Sequence, residues 1–383
     1  MFPIYLDNAA TSFPKPPSVA SAMQHYTQDI GSSINRGVYA SAQEAGTTAL
    51  LLRESLCRLF HHGDPTHCIL TPGNTMGLNM ILRGWLRPGD HCLVSSMEHN
   101  AVMRPLQSLS AAGVYFDRVP CDREGRLDPD DLRHMIRPDT RLVLIAHGSN
   151  VGGGVQDAEA IGRICRENGV PFALDAAQTA GHWDIDFRQW GLSALSVPGH
   201  KGLMGPSGTG ALLLSEEFAA GLSPIIAGGT GSASDLEIQP GYMPDKFESG
   251  TPNLPGIYGF QAAVEYVLET GVKTMLDHEA MLTGRLLDQL RDVPHIRLAG
   301  PQGTKNRVGV VSADFLTGDN AAAAYRLEEQ YGILVRCGLH CAPAAHKTLG
   351  TFPQGTVRFS FGWFNTEEEA DIAAKAVAEI ACG

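Results

Sequence analysis

The stretch VPFALDAAQ, residues 170–178, decides how the chain is read. A short apolar run ends in a carboxylate, Asp175, followed by small residues. A carboxylate at the end of a buried strand is costly unless it caps a helix or meets a cation. Working outward, HCLVSS (91–96), RLVLIA (141–146), SALSV (193–197) and TGALLL (209–214) repeat the short apolar run, with helix-like periodicity over 73–86, 98–111 and 155–168. Buried strands separated by helices predict an α/β domain around a mainly parallel sheet, with functional side chains at strand ends and in the loops that follow.

After about residue 256 the texture changes. A helical stretch from 256 to 292, with a break near Gly271, leads into RVGVVSAD, a helix near 320–330, GILVR, TVRFSFG and a closing helix at 366–380. The pattern predicts a large α/β domain over 15–255 and a smaller α+β domain over 256–383 that also takes the N-terminal segment 1–14. The turn-rich stretch 227–253 is too long for a simple connector, and loops of that length are usually functional or disordered.

Bulk properties narrow the partners. At 383 residues the chain can bury two cores, and 43% apolar with 18% charged residues is ordinary for a globular enzyme. A formal charge of −12 with no Lys/Arg run argues against nucleic acid. MFPIYLDNAATSFPKP lacks the pattern of a secretory signal, and no apolar stretch reaches membrane-spanning length. Eight scattered cysteines read as reduced thiols in a cytoplasmic protein, with Cys57, Cys68, Cys92 and Cys165 as small core residues.

The chemistry gathers at three places. SVPGHKGLMGPSGTG (196–210) sets Lys201 after a strand among glycines, where backbone can approach a bound group closely. With Asp175 upstream, this is what a pyridoxal phosphate enzyme needs: a lysine to hold the cofactor and a carboxylate to keep its pyridine nitrogen charged. TPGNTMGLNM (71–80) would then supply a phosphate cradle, since Gly73, Asn74 and Thr75 open a helix. His99 in SSMEHNAVMRP follows another strand and could stack on the cofactor ring. Each of these alone also reads as a capped helix or a surface residue.

RCGLHCAPAAH (336–346) admits three readings. Cys337, His340, Cys341 and His346 have the ligand types of a zinc site, but not the spacing of a finger. A buried thiol pair is a second reading. The third is a nucleophile, with Cys341 acting as a thiolate and His340 near enough in sequence to influence it. The rest of the sequence favours the third, with Cys337 a bystander and no resident metal.

In order, LDNAAT (6–11), GNT (73–75), EHNA (98–101), SNVGG (149–153), DAAQ (175–178), GHK (199–201), FESGTPN (247–253) and RCGLHCAP (336–343) resemble the class V aminotransferase-like enzymes, and among them the cysteine desulfurases. The RxGxHCAP form resembles group II, which includes selenocysteine lyases. The resemblance covers essentially the whole chain. It implies a fold-type I pyridoxal phosphate-dependent transferase with a mainly parallel seven-stranded sheet, acting on L-cysteine or L-selenocysteine.

Carried over by motif, Lys201 would bind the cofactor and move the substrate's α-proton. Asp175 would pair with the pyridine nitrogen, Gln178 with the ring hydroxyl, and His99 would stack on the ring. Thr75 and His200 would hold the phosphate, joined by Thr251 of the partner subunit, which implies a homodimer with shared sites. Asn150 and Arg358 would bind the substrate carboxylate, with Arg336 assisting or serving the loop. Cys341 would take the sulfur as a persulfide for a protein acceptor. Iron–sulfur assembly, thiolation or a selenium pathway are all open as destinations.

Three departures stand out. Pro198 replaces a serine that usually offers the phosphate a hydroxyl. Leu339 breaks the usual Gly-His-His-Cys, with Cys337 where threonine is common. The stretch before FESG is atypical. Besides the selenocysteine lyase, a transaminase, β-lyase or epimerase would use Lys201 without needing Cys341. A scaffold that has lost its cofactor is countered by the retention of Thr75, Asp175, Lys201 and Arg358.

Overall fold

The runs HCLVS, FALD, ALSVP and GALLL are buried along their whole length, as strands covered on both faces must be. The computed structural model describes residues 3–383 except 35–36, 233–234 and 236. Its strands are β1 (Ile4–Tyr5), β2 (Cys68–Thr71), β3 (His91–Ser95), β4 (Tyr115–Val119), β5 (Thr140–Ala146), β6 (Phe172–Asp175), β7 (Ala194–Pro198) and β8 (Gly210–Leu214), followed by β9 (Ile296–Ala299), β10 (Val310–Phe315), β11 (Ile333–Leu334), β12 (Arg336–Gly338) and β13 (Thr356–Ser360).

Seven strands form the central sheet in the order β2-β8-β7-β6-β5-β3-β4. β8 runs antiparallel to both neighbours and the other pairs are parallel. Successive side chains divide between two cores, as the twofold period of a strand requires. Leu93, Val143, Ile145, Leu174, Leu195 and Leu213 pack beneath the helices Ala40–Leu59, Ala158–Glu167 and Leu254–Thr270. Val94, Leu142, Leu144, Ala173, Ala194 and Leu212 pack beneath Asn74–Trp85 and Asn100–Ser110.

Helix starts follow their caps. Asp157 Oδ1 accepts from the amide of Ala160, so the helix expected over 155–168 begins at Ala158. The helical stretch expected over 256–292 is two helices, Leu254–Thr270 and Val272–Leu290, parted at Gly271, whose φ of 88° suits glycine. Leu254, Ile257, Phe260 and Val264 of the first belong to the core beside the large sheet.

A second sheet, β12-β13-β10-β9, is antiparallel throughout. It buries Val311, Ala313, Val357 and Phe359 against Leu282, Leu286, Ala373 and Val377 of the helices Val272–Leu290 and Glu367–Cys382. The last of these opens with a capping box between Thr366 and Glu369. β1 pairs in parallel with β11, and Ile4 and Leu6 join this second core. Among the described residues, no helix is long and apolar enough to cross a membrane.

Candidate active site

The C-terminal ends of β5 and β6 are level, Ala146 pairing with Asp175, and β7 passes Asp175 at Ser196 and runs on to Pro198. Above them opens a cavity of about 750 Å³ whose wall includes Thr75, His99, Asp175, His200, Lys201 and Arg358. Gln178, Asn150, Arg336, Gly73 and Asn74 also line it. The structure thus gathers residues separated by most of the length of the chain.

Asp175 is 3% exposed. Its Oδ1 accepts from the Asn74 amide at 2.8 Å and from the backbone N–H of Ala177 at 2.9 Å. Burial raises its pKa, while these two bonds and the Lys201 charge oppose the rise. Both bonds fall on Oδ1, so among the described residues Oδ2 is left for a donor from the cavity. The side chain of Asn74 therefore serves Asp175, and Ser196 Oγ orients it by donating to Asn74 Oδ1 at 2.6 Å.

Lys201 follows β7 through Gly199, where an added Cβ would run into Thr209. Burial draws the lysine down to about 8, with Asp175 pulling the other way. The N-terminal segment braces this loop. Thr11 Oγ1, the Ser12 amide and Lys15 Nζ all donate to the carbonyl of His200, at 3.0, 3.0 and 2.8 Å. Burial likewise lowers Lys15 to about 8.

Two features suit an anion. His200 Nδ1 is buried with no hydrogen-bond partner among the described residues, and burial, then the Lys201 and Lys15 charges, lower the ring to about 4. Gly73, with φ 149°, precedes the helix Asn74–Trp85, and a Cβ there would project into open space. The first amides of that helix and Thr75 face the same cavity. Pro198 also stands in the wall, without a hydroxyl, and Ser207 lies nearby in it.

His99 caps the helix Asn100–Ser110, its Nδ1 accepting from the amide of Ala101 at 3.0 Å. The proton of the neutral ring is therefore on Nε2, and burial with the nearby Lys201 and Arg336 charges lowers its pKa to about 4. Beneath it Glu98, fully buried, accepts from the amides of Ser95 and Ala146 and from Ser95 Oγ.

Arg358 is 1% exposed. Its Nη2 donates to Asp7 at 2.6 Å and its Nη1 to the carbonyl of Asn150 at 3.1 Å, while Nε is buried without a partner among the described residues. Gln178 Nε2 donates to the carbonyl of Ala9 at 3.1 Å. Asn150 Nδ2 donates to the carbonyl of His340 at 2.7 Å.

The exposed thiol of Cys341 lies 3.5 Å from Arg336 Nη2, a nitrogen of the cavity wall's own arginine. His340 and Cys341 are both left-handed, with φ 47° and 59°. Such conformations cost a non-glycine residue about 1–3 kcal/mol each. Cys341 pays part of that back through its carbonyl, which accepts from the Asn100 amide at 2.8 Å.

The His340 ring is bonded to Thr356 and that of His346 to Thr351, so their bonding nitrogens turn to neighbouring threonines. Cys337 packs against the second core. Among the described residues, no three His, Cys, Asp or Glu side chains gather as a metal site would require.

The class-V aminotransferase family model matches residues 4–372. This chain belongs to that family. A probable cysteine desulfurase of Methanothermobacter thermautotrophicus is 34% identical over 385 residues, covering 99% of this chain and 94% of the relative. A cysteine desulfurase of Cronobacter sakazakii is 31% identical over 96% of this chain and 90% of its own length. The solved apo cysteine desulfurase of Thermococcus onnurineus NA1 superposes with a TM-score of 0.93 at 31% identity, covering 100% of this chain and 95% of that one. The class-V chain has the α/β fold-type I architecture of these relatives.

Thr251 stands apart from the class-V cavity. It is exposed in an adjoining cavity of about 340 Å³ that shares Pro72, Met76, Gly208, Ile225 and Ile226 with the first. Its segment is fixed from behind: Glu248 makes a two-pronged ion pair with the buried Arg53 at 2.8 and 2.7 Å. Four contributors escaped the reading of the sequence: Asp7, Lys15, Glu98 and the side-chain role of Asn74. The motifs around three of them flagged the place without showing the bond.

Proposed function

We propose that this chain is a pyridoxal phosphate-dependent cysteine desulfurase that converts L-cysteine to L-alanine and carries the sulfur on Cys341. The reading is carried by the Cys341 turn, which sets a thiol 3.5 Å from Arg336 at the edge of the Lys201 and Asp175 cavity. A transaminase or epimerase has no use for that turn.

The residues present fit the cofactor. The free Oδ2 of Asp175 suits a protonated ring nitrogen, and the remaining amide capacity of Gln178 suits a ring hydroxyl. The unpartnered His200 Nδ1, the open cradle at Gly73, the amides opening at Asn74 and the Thr75 hydroxyl suit a phosphate. His99 has a neutral ring to lay on a cofactor face. When bound, pyridoxal phosphate supplies an electron sink for carbanionic chemistry at the amino acid's α- and β-carbons.

Everything else falls to the protein. Lys201, lowered to about 8, is unprotonated in an appreciable fraction near neutrality, so it can hold the cofactor and carry the substrate's α-proton. Arg358, with its unpartnered Nε, and Asn150, with a second amide hydrogen, bind the substrate carboxylate. Arg336 stands beside the thiol, its Nη2 3.5 Å from the sulfur, and helps to hold it in place. The Cys341 thiolate attacks the substrate sulfur: the S–S bond forms, the Cβ–S bond breaks and its electron pair stays with carbon. Protonation of that carbon yields alanine, and Cys341 is left as a persulfide.

The active unit in this reading is a homodimer, each Thr251 reaching the phosphate site of the partner. The persulfide passes to a protein acceptor in the cytoplasm, iron–sulfur assembly being one destination. The test is alanine release from L-cysteine and L-selenocysteine, with a reductant, by wild type and Cys341→Ala. Alanine from cysteine in the wild type alone supports the reading. Turnover of selenocysteine only would make the enzyme a lyase, and alanine from cysteine in the variant would remove Cys341 from the chemistry.

A further inference from the structure

We propose that His340 is a positioning residue for the Cys341 turn, acting through a closed ring of hydrogen bonds and not as an acid or base toward the thiol. The inference rests on the reading of Cys341 as the nucleophile. Its ground is the path of the bonds. Ser312 Oγ donates to the carbonyl of Val151 at 2.7 Å, and Thr356 Oγ1 donates to Ser312 Oγ at 3.1 Å. His340 Nε2 lies 3.1 Å from both the carbonyl and the hydroxyl of Thr356.

A carbonyl only accepts, and the Thr356 hydroxyl has given its proton to Ser312. Nε2 therefore carries the imidazole proton and donates. The ring closes where it began: Asn150, next to Val151, donates to the carbonyl of His340 at 2.7 Å. Four segments distant in sequence are joined by neutral bonds, and both ends of the ring hold one residue whose backbone is left-handed.

Two observations separate this from acid–base work. The bonding nitrogen of the ring is turned to Thr356, while the partner of the Cys341 sulfur is Arg336. A proton on the other nitrogen would be buried and unpartnered, since Nδ1 has no acceptor among the described residues. Burial, with Arg358 and His346 adding to it, lowers the ring to about 2, so it stays neutral through the working range. His340 and Cys341 are left-handed together, and a ring locked into the second sheet fixes the first of them.

The test uses full-length holoenzyme carrying His340→Gln, His340→Leu or Thr356→Val, with Cys341→Ala alongside. Gln presents an N–H where Nε2 was, and Leu presents none. His340→Leu is expected to lower kcat for alanine release about 10- to 100-fold with KM within about twofold, the cost of a misplaced reacting atom. His340→Gln should recover most of that loss, with the kcat–pH profile of the wild type. Thr356→Val should fall between, because the carbonyl of residue 356 still accepts.

Wild-type kcat in His340→Leu overturns the proposal. So does a His340→Gln as slow as His340→Leu, or one that loses a limb of the pH profile. If His340→Leu fails to fold, full rescue by Gln with an intermediate Thr356→Val still supports the ring, and a wild-type Thr356→Val beside an impaired Gln overturns it. Alanine release that survives in Cys341→Ala would instead defeat the nucleophile reading, whatever the His340 variants do.

Discussion

The side chains proposed above to be reactive include Asp175, at the end of β6, and Lys201, three residues after β7, both beside a sheet buried on both faces. In the turn that follows β12 the proposed nucleophile is Cys341, exposed, on a left-handed backbone tied down by groups from other segments. The first region adjusts its chemistry by burial: desolvation moves the lysine down and the carboxylate up, and each charge moderates the other. The second adjusts by placement, since an exposed thiol gains from where it is held and from the Arg336 beside it. One region is built like a core and the other like a latch.

The sharpest way to test that division is to remove one residue from each side. Lys201→Ala should abolish both alanine release and the absorbance of a lysine-held cofactor. Cys341→Ala should lower alanine release by more than about 10³-fold while leaving that absorbance intact, because a nucleophile acting as part of a unit is rarely dispensable. Absorbance and alanine assays on the two variants decide the matter. Loss of bound cofactor in Cys341→Ala would break the comparison.

Asn150 belongs to both regions, so Asn150→Ala should raise KM for cysteine and lower kcat together, each by roughly 10- to 100-fold. Steady-state kinetics separate this from a pure binding defect, which would move KM alone.

Glu98 sharpens the core side. Burial raises it to about 7 from 4.5, so the folded state holds its proton more tightly than the unfolded chain does. Its contribution to stability is complete below pH 4.5 and is lost as pH rises to about 7. The full shift corresponds to at most ~3 kcal/mol. Unfolding midpoints in urea across that window should fall more in the wild type than in Glu98→Gln. Equal slopes would refute the assignment.

The smallest effect concerns Asp7, whose charge raises Lys201 against the larger lowering from burial. Cofactor uptake by apoenzyme should accelerate as pH rises through about 8, where Lys201 loses its proton. In Asp7→Asn the inflection should move to lower pH. A shift the other way would refute the assignment, since an Arg358 left without its partner also lowers Lys201.

Much of the core was legible in the sequence, and the latch was not. The short, largely apolar runs VPFALD and SALSV, the one ending at Asp175 and the other four residues before Lys201, read as strand candidates, and their ends marked the cavity. β4 escaped because YFDRV lies at the sheet edge with most of its side chains exposed or half-buried, so it has no apolar run to read. The helix Ala40–Leu59 escaped because Gly46, Thr47 and Thr48 interrupt its periodicity.

At the turn, RCGLHCAP showed which thiol to suspect. Nothing local announces two consecutive left-handed residues, because the groups that hold them belong to Asn100, Asn150 and Thr356. Arg358 was expected to await a substrate carboxylate. Its pairing with Asp7 spans 351 positions, beyond any local pattern. Part of the atypical stretch 227–253 lies outside the described residues. Within it, Glu248 is held by its ion pair with Arg53 and Lys246 by the carbonyl of Ala219.

The pairing of β1 with β11 also sets a timetable. Leu6 accepts from the amide of Ser360, and residues 11–15 then brace the carbonyl of His200. A ribosome releases the first of these segments long before the last. The large sheet can form while synthesis continues, but the brace beneath Lys201 gains its anchor only when residue 360 has emerged. A nascent chain would therefore hold Asp175 at the end of a formed strand and Lys201 just beyond another, without a finished pocket around them. On the proposed function, cofactor capture would then be an event of the completed polypeptide, and one that a truncated product could not imitate.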